Sequence, residues 1–448
     1  MSIGARLSAR FRGRSASGGK FRLQGAMGVV ARNLGWLLAS RGVVAVLSLF
    51  YIGFATRSLG VKDFGRFALV SGASQALATL VAFQTWQIIV RYGIEAQAKG
   101  DMARLGRLFR TCAAMDLASA LIGVVMAVTI LELWGEAFGI GPTLLRATLI
   151  FTVIQLLTIR STPTGVLRLR DRFSSAAVAD SVTPIMRFIG AALVMWFHPT
   201  VQGFLFAWAL AELATALTYW ALIIRGGDWR LFASRGWFDW RQVIAENPGF
   251  VRFALSINAN STLNLSSKQV PLLVIGAFVG TSSAGIFRLT AQLAQALAKL
   301  SQMLSRAAFA EVVRMVERES IIRLIRRMAL GSALGSLVIM AIVVAIGRQA
   351  LETIGGPGFG VGYPVLIALS AAGCVELTIV GLETVMTANG RGAHDVFVAR
   401  AVSVAIMAAA ACVLIPLLSS LGMALAVLIG SVSAGVLLVI RLPAVIAR

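Results

Sequence analysis

Gly60-Val-Lys-Asp-Phe-Gly65-Arg-Phe67-Ala-Leu69 and Gly280-Thr-Ser-Ser-Ala-Gly285-Ile-Phe287-Arg-Leu289 share two glycines, a phenylalanine and a leucine in one register. The match continues as Gln75-Ala-Leu-Ala-Thr-Leu80 against Gln295-Ala-Leu-Ala-Lys-Leu300, at a constant offset of about 220 residues, half the chain. Self-similarity at a long fixed offset marks a duplicated structural unit. Chance agreement between Ala- and Leu-rich segments is the competing explanation. Against it, a glycine turn and the helix after it agree in the same register. Six apolar runs separate equivalent points, so both copies have the same orientation. They are then expected to be related by a pseudo-two-fold axis along the membrane normal, as parallel transporter repeats are.

Composition sets the environment of this duplicated unit. Hydrophobic residues make up 58% of the 448 and charged residues only 13%, which excludes an ordinary soluble domain and fits repeated spans of about 20 apolar residues. Six runs lie near Leu34 to Ala55, Phe67 to Val90, Ala113 to Leu133, Leu144 to Ile159, Ala177 to Phe197 and Val201 to Ile224. Six more lie near Phe253 to Val279, Ala284 to Ala308, Met328 to Ile346, Val365 to Ala388, Val396 to Leu418 and Met423 to Ile440. The expected fold is an all-α polytopic membrane protein of about twelve transmembrane helices in two six-helix lobes. The corresponding divisions are a basic tail at 1–33, lobes at 34–224 and 252–441, a linker at 225–251 and a tail at 442–448.

The net charge of +22 would suit nucleic acid if it were spread over the surface, but it is sorted by connection. Arg104, Arg107 and Arg110, then Arg168, Arg170 and Arg172, then Arg314, Arg318 and Arg323 fall in even-numbered connections, whereas the odd-numbered ones hold only Arg57, Lys62, Arg66 and Arg348. Positive-inside bias therefore puts both termini in the cytoplasm and removes the need for a nucleic-acid partner. A cleaved signal peptide does not fit the long cationic start. In the linker, Trp229, Trp237 and Trp240 lie among arginines and read either as an interfacial helix or as a structured cytoplasmic connection.

Several chemistries lack their residues. Cys112, Cys374 and Cys412 have no CxxC spacing, and His198 and His394 have no partner at helix spacing, so no metal site or disulfide framework is expected. The glycines of Gly355-Gly-Pro-Gly-Phe-Gly360 precede no GK[ST] motif, and no outer loop is large enough for a catalytic constellation. No cofactor and no enzymatic activity are expected.

What remains is a set of polar groups at membrane depth. Arg288, Gln292, Gln295, Lys299, Gln302 and Arg306 step by four, three, four, three and four, which puts them on one helical face over about 27 Å. Such groups cost at least about 2.5 to 3.5 kcal/mol each at the bilayer centre, so they face water or a partner. On the preceding helix Asn260, Asn264 and Lys268 repeat every four residues; hydrogen-bonded helix packing is the alternative for the amides but leaves Lys268 unexplained. Arg41, Gln75 and Arg187 are the candidates from the first half, with snorkelling toward headgroups an equal reading of Arg41. Asp180, Glu376 and Glu383 are candidate ion-coupling carboxylates; the competing reading is neutralisation of Arg187 or Arg400. An anionic, polyhydroxylated guest suits this set, since cations hold phosphates and amides bind hydroxyls.

Arg57-Ser-Leu-Gly60-Val-Lys-Asp-Phe64-Gly65-Arg-Phe67 resembles the R-x-L-G-x-x-x-F/Y-G turn after the first helix of bacterial O-antigen and exopolysaccharide flippases, and Thr387-Ala-Asn-Gly390-Arg391 is similar to their A-x-G-R turn. These proteins form a branch of the multidrug, oligosaccharidyl-lipid, polysaccharide (MOP) superfamily, and the resemblance spans nearly the whole chain. It implies alternating access of two lobes around a cationic cavity, in the inner membrane, with an undecaprenyl-pyrophosphate-linked oligosaccharide as cargo. Membrane lipids and the polysaccharide polymerase or export machinery are the implied partners. Lys268 departs from the acid allowed at that region in many relatives. The alternatives are a multidrug or cation exporter of the same superfamily, which needs an acidic cavity, a membrane-embedded glycan polymerase or ligase, which needs a large outer loop, and a non-transporting scaffold, which has no need of buried cations.

Overall fold

In a computed structural model the backbone is described over residues 19–134, 142–233, 240–314, 321–388 and 393–446, and side chains over most of 47–441, with 134–143, 233–239, 300–329 and 387–393 the main exceptions. Met1–Val46 is one compact unit, helical from Gly19, and Leu47–Arg448 is a second. Everything below concerns the second. The Ala-Asn-Gly-Arg turn at 388–391, apart from the helical backbone of Ala388, lies outside the described residues, as do the side chains of Arg41, Asn264, Gln302 and Arg306.

The described chain is helical throughout. In order, the helices are α1 Gly19–Val81, α2 Thr85–Lys99, α3 Met102–Trp134, α4 Pro142–Leu157, α5 Ser161–Leu169, α6 Phe173–Phe197, α7 Val201–Arg225, α8 Trp229–Ala233, α9 Trp240–Glu246, α10 Phe250–Lys268, α11 Val270–Phe278, α12 Thr281–Arg314, α13 Ile321–Gly355, α14 Tyr363–Ala388 and α15 Ala393–Ile446, with a 3₁₀ turn at Pro357–Gly362. Among the described residues eight runs are long and apolar enough to cross a membrane, and three of these contain a break: Leu47–Lys99 at Gly60 and again at 82–84, Leu144–Leu169 at 158–160, and His394–Arg441 at Ser419. The protein is a multi-pass membrane protein. Its outward faces carry large apolar side chains, with Trp196 at 87% and Phe278 at 79% exposure, a surface that water would not tolerate and acyl chains would. The expected seventh and eighth helices are present as α10/α11 and α12 but are not among the eight: the first is divided, with α11 only nine residues long, and α12 carries the polar face.

Both ends of the sequence repeat turn on a glycine in the left-handed region, φ 69° at Gly60 and 113° at Gly280, where a side chain would strain the backbone. The second glycines of the repeat meet each other. A Cβ on Gly65 would collide with the Thr281 carbonyl, and one on Gly285 would come within 2.6 Å of the Val61 carbonyl oxygen. The two copies therefore cross backbone to backbone, as small residues permit. Arg57 Nε donates to the Thr353 carbonyl (3.0 Å) and Thr56 Oγ1 to that of Ile354 (3.1 Å), satisfying the last turn of α13. Phe64 packs edge-on against Phe359. At the other break, Ser419 (φ 53°) reverses α15, since Ser403 Oγ reaches the Gly430 carbonyl (2.6 Å) and Arg441 pairs with Asp395 (2.7 Å).

Two expected spans are interrupted, and a third opens where its expected end lies and then resumes as a further helix. Phe253 to Val279 divides at Gln269, because Pro271 has no N–H and its ring crowds the preceding turn. The run from Phe67 to Val90 opens over 82–84, and the one from Leu144 opens over 158–160, before α5. Backbone groups freed at such depth must find partners. Asn258 Nδ2 donates to the Ala82 carbonyl (3.2 Å) and Trp220 Nε1 to that of Ile159 (3.1 Å). The new helix starts of α2 and α5 are tied to one buried carboxylate on α3. Asp116 accepts from Thr85 Oγ1 (2.9 Å), Thr162 N (3.0 Å) and Thr162 Oγ1 (2.7 Å), an anion at two helix N-termini.

The linker docks on the basic end of α3. Arg104 Nη2 donates to the Glu246 carbonyl (2.7 Å), Arg107 pairs with the Glu246 carboxylate, and Phe109 lies against Phe232. Trp229 and Trp240 are about half exposed, and Trp237 lies outside the described residues.

Candidate functional site

The break at Gln269 and the polar faces of α1, α10 and α12 surround a cavity of about 420 Å³. Three cations line it: Arg187 from α6, Lys268 at the end of α10 and Arg288 near the start of α12. Five amides accompany them, Gln75, Gln84, Gln155, Gln269 and Gln292, and an aromatic wall of Tyr51, Phe67 and Trp208 closes one side. Trp208 stands edge-on to both Tyr51 (5.3 Å) and Phe67 (5.1 Å), which fixes its ring as a rigid surface.

The charges do not cancel. Arg187 Nη2 meets Glu212 Oε1 at 2.7 Å, with its guanidinium 5.4 Å from the centre of the Trp208 ring. The same carboxylate, 2% exposed, meets Arg160 at 2.9 Å through its other oxygen, so one anion serves two guanidiniums. Lys268 and Arg288 have no carboxylate within ion-pair distance among the described residues. Gln155 Nε2 donates to Gln75 Oε1 (2.9 Å), while Gln269 Oε1 is buried without a hydrogen-bond partner, an acceptor left open beside the cations. An excess of fixed donors and positive charge, walled on one side by aromatic rings, is suited to a phosphate carrying sugars.

Of the residues singled out from sequence, Gln75, Arg187, Lys268, Arg288 and Gln292 share the cavity lining. Gln295 and Lys299 continue the same face of α12 as exposed side chains beyond that lining, and Asn260 is likewise exposed on α10. The acids are elsewhere. Asp180 accepts from the Tyr219 hydroxyl at a second, smaller cavity. Glu376 holds Arg400 through both oxygens (2.8 Å each) and Glu383 holds its Nε (2.6 Å); neither glutamate lines either cavity. The partner of Arg187 is Glu212 and not Asp180. Seven residues along one helix put Asp180 about 10 Å away, whereas Glu212 comes from the adjacent α7.

Tyr51, Trp208, Gln155 and Gln269 also line the cavity and went unnoticed in the sequence. Aromatic residues in apolar runs read as core or interface. Gln155 and Gln269, amides inside expected apolar runs, carried a signal.

The geometry can be set beside known proteins. The family described as "Polysaccharide biosynthesis protein" matches residues 30–310, well over half of the chain. The chain belongs to that family. This family member is 24% identical over 342 residues to the "Inner membrane protein YghQ" of Escherichia coli K12, a match covering 76% of this chain and 95% of that one. Its fold is that of the MOP superfamily. An inward-facing multidrug resistance MATE family transporter of the MOP superfamily superposes with a TM-score of 0.65 at 12% identity, over 91% of this chain and 98% of that one. The lipid II flippase MurJ in an inward closed conformation does so with a TM-score of 0.65 at 11% identity, over 91% and 87%.

Proposed function

We propose that this protein is a flippase that moves undecaprenyl-pyrophosphate-linked oligosaccharide from the cytoplasmic to the periplasmic leaflet of the bacterial inner membrane. The observation that carries the reading is the pair of cations Lys268 and Arg288, uncompensated by carboxylates among the described residues, in a cavity whose other polar groups are neutral amides and hydroxyls apart from Arg187, which is paired with Glu212. A pyrophosphate held by two charged donors gains about 1.5–3 kcal/mol from each hydrogen bond, and Gln75, Gln155, Gln269 and Gln292 offer donors and acceptors to sugar hydroxyls. The cavity volume falls within the ~300–1,000 Å³ of small-ligand sites, so it takes the headgroup and first sugars while the polyprenyl tail stays in lipid.

In this reading the lobes at 34–224 and 252–441 alternate access, the arginine-rich connections face the cytoplasm, and the crossing of Gly65 with Gly285 is the outer closure that parts when cargo leaves. Gln295 and Lys299 on α12 and Asn260 on α10 extend the polar route beyond the cavity. Asp180, Glu376 and Glu383 are the carboxylates available for ion coupling, and a polymerase or export complex receives the product. MATE-like folding favours a multidrug exporter as the second reading, but an organic cation would be repelled by Lys268 and Arg288. The test is surface-glycan export in cells whose only copy is Lys268→Gln/Arg288→Gln. Export is expected to be lost with folded protein still in the membrane; export at the wild-type level overturns the proposal.

A further inference from the structure

The second cavity, about 250 Å³, lies where two membrane helices are interrupted side by side: the opening at 82–84 between α1 and α2 and the opening at 158–160 between α4 and α5. Irregular backbone that interrupts a membrane helix is tolerated only where it is buried in protein or lines a wet cavity. Gln84, in the first opening, lines both this cavity and the larger one. Arg160, in the second opening, is joined to Arg187 of the larger cavity through the two oxygens of Glu212.

The small cavity has a surplus of positive charge. Arg168 lies over the ring of Trp86, its guanidinium 4.1 Å from the ring centre, with no carboxylate partner among the described residues. Trp86 Nε1 is held by Gln84 Oε1 (3.0 Å), which keeps the indole flat beneath that guanidinium. Arg160 has half of Glu212. The one acid in the lining, Asp180, is engaged by the Tyr219 hydroxyl. The adjoining helix starts are already occupied by Asp116, so an anion arriving here is held by side chains: two planar guanidiniums, with the Ser161 hydroxyl beside them, since Thr164 Oγ1 already donates to the Arg160 carbonyl (2.7 Å). Guanidiniums bind phosphate bidentately and pre-organised.

We propose that this cavity is a second phosphate-binding site, a staging position on the arginine-rich side where the pyrophosphate of the lipid-linked cargo is held by Arg160 and Arg168 before it passes Gln84 into the larger cavity. Glu212 connects the two positions. An anion on Arg160 competes with Glu212 for that guanidinium, and Glu212 then turns wholly to Arg187, leaving Lys268 and Arg288 as the free cations ahead. The inference rests on the flippase reading for the identity of its ligand, and the experiment separates the two.

Full-length protein in nanodiscs of zwitterionic lipid is titrated with inorganic pyrophosphate, and binding is followed by calorimetry. Two equivalents per chain are expected. Arg160→Gln/Arg168→Gln is expected to retain one, and Lys268→Gln/Arg288→Gln the other. Two equivalents in a folded Arg160→Gln/Arg168→Gln protein overturn the staging site and leave the larger cavity standing. Two in Lys268→Gln/Arg288→Gln overturn the larger cavity's role and leave the staging site standing. Because Arg160 also neutralises buried Glu212, Arg168→Gln alone is the safer variant. It is expected to weaken one of the two equivalents at least tenfold, and wild-type affinity for both overturns the site. Repetition in phosphatidylglycerol nanodiscs separates cargo from bulk lipid: persistence of both equivalents supports a cargo site, and loss of the Arg168-dependent one assigns it to ordinary headgroups and overturns staging.

Discussion

Replacing Glu212 by Gln removes the anion that Arg187 and Arg160 share. Both ion pairs are short, 2.7 and 2.9 Å, and the carboxylate is almost wholly enclosed. Removing one partner of a buried pair costs about 3–5 kcal/mol, because the charge left behind is uncompensated. Two charges are left behind here, but their side chains remain 21% and 37% exposed, so water relieves part of the loss. The expected cost is therefore near the lower bound, about 3 kcal/mol, or roughly a hundredfold in the folded-to-unfolded ratio. Arg187→Gln should cost less than this, since Glu212 keeps Arg160. The double variant Arg187→Gln/Glu212→Gln should be less destabilised than the sum of the singles, because the repelling guanidinium has gone. Unfolding by SDS in mixed micelles of the wild type, both singles and the double gives the cycle. A Glu212→Gln protein within about 0.5 kcal/mol of wild type, the range of an ordinary surface change, would show that the shared carboxylate does not hold these arginines.

Two further outcomes follow from the breaks and the crossing. Asp116→Ala leaves the Thr162 amide and hydroxyl without their acceptor, while the Thr85 hydroxyl keeps Ser161 Oγ (2.8 Å), at about 1–3 kcal/mol for a buried unsatisfied donor; hydrogen exchange at the Thr162 amide should rise in step with the loss of stability, and unchanged protection would contradict the clasp. A Cβ built on Gly358 lies 2.8 Å from Val61 Cγ2, close to disulfide reach, so Val61→Cys/Gly358→Cys should oxidise readily, stop transport and regain it on reduction. Full transport by the cross-linked protein would show that this contact does not have to part.

The glycine turns were legible because their chemistry is local: positive φ at Gly60 and Gly280 is a property of the residue type. The repeat showed that Gly65 and Gly285 are equivalent, but nothing in either copy says that they touch; their crossing is a tertiary fact. Lys268, Arg288 and Gln292 stood out because a polar face in an apolar helix must have a reason. Trp208 and Tyr51 did not, since aromatic residues are equally at home against lipid. The pairing of Arg187 with Glu212 needed the arrangement of α6 and α7, which no spacing along one helix reveals. The single span expected over Phe253 to Val279 passed over Pro271, which divides α10 from α11, whereas Ala82-Phe83-Gln84 and Thr158-Ile159-Arg160 contain neither Gly nor Pro. Those openings are imposed by tertiary partners, Asp116, Asn258 and Trp220, that lie far off in sequence.

Transfer of a fluorescent undecaprenyl-pyrophosphate oligosaccharide between leaflets of proteoliposomes, read by quencher accessibility, puts the cationic cavity itself to the test. Loss of two charge-assisted hydrogen bonds at about 1.5–3 kcal/mol each predicts at least a hundredfold slower transfer for Lys268→Gln/Arg288→Gln, with an unfolding midpoint like that of the wild type. Transfer at the wild-type rate by the folded double variant would contradict a role for these cations in carrying the cargo.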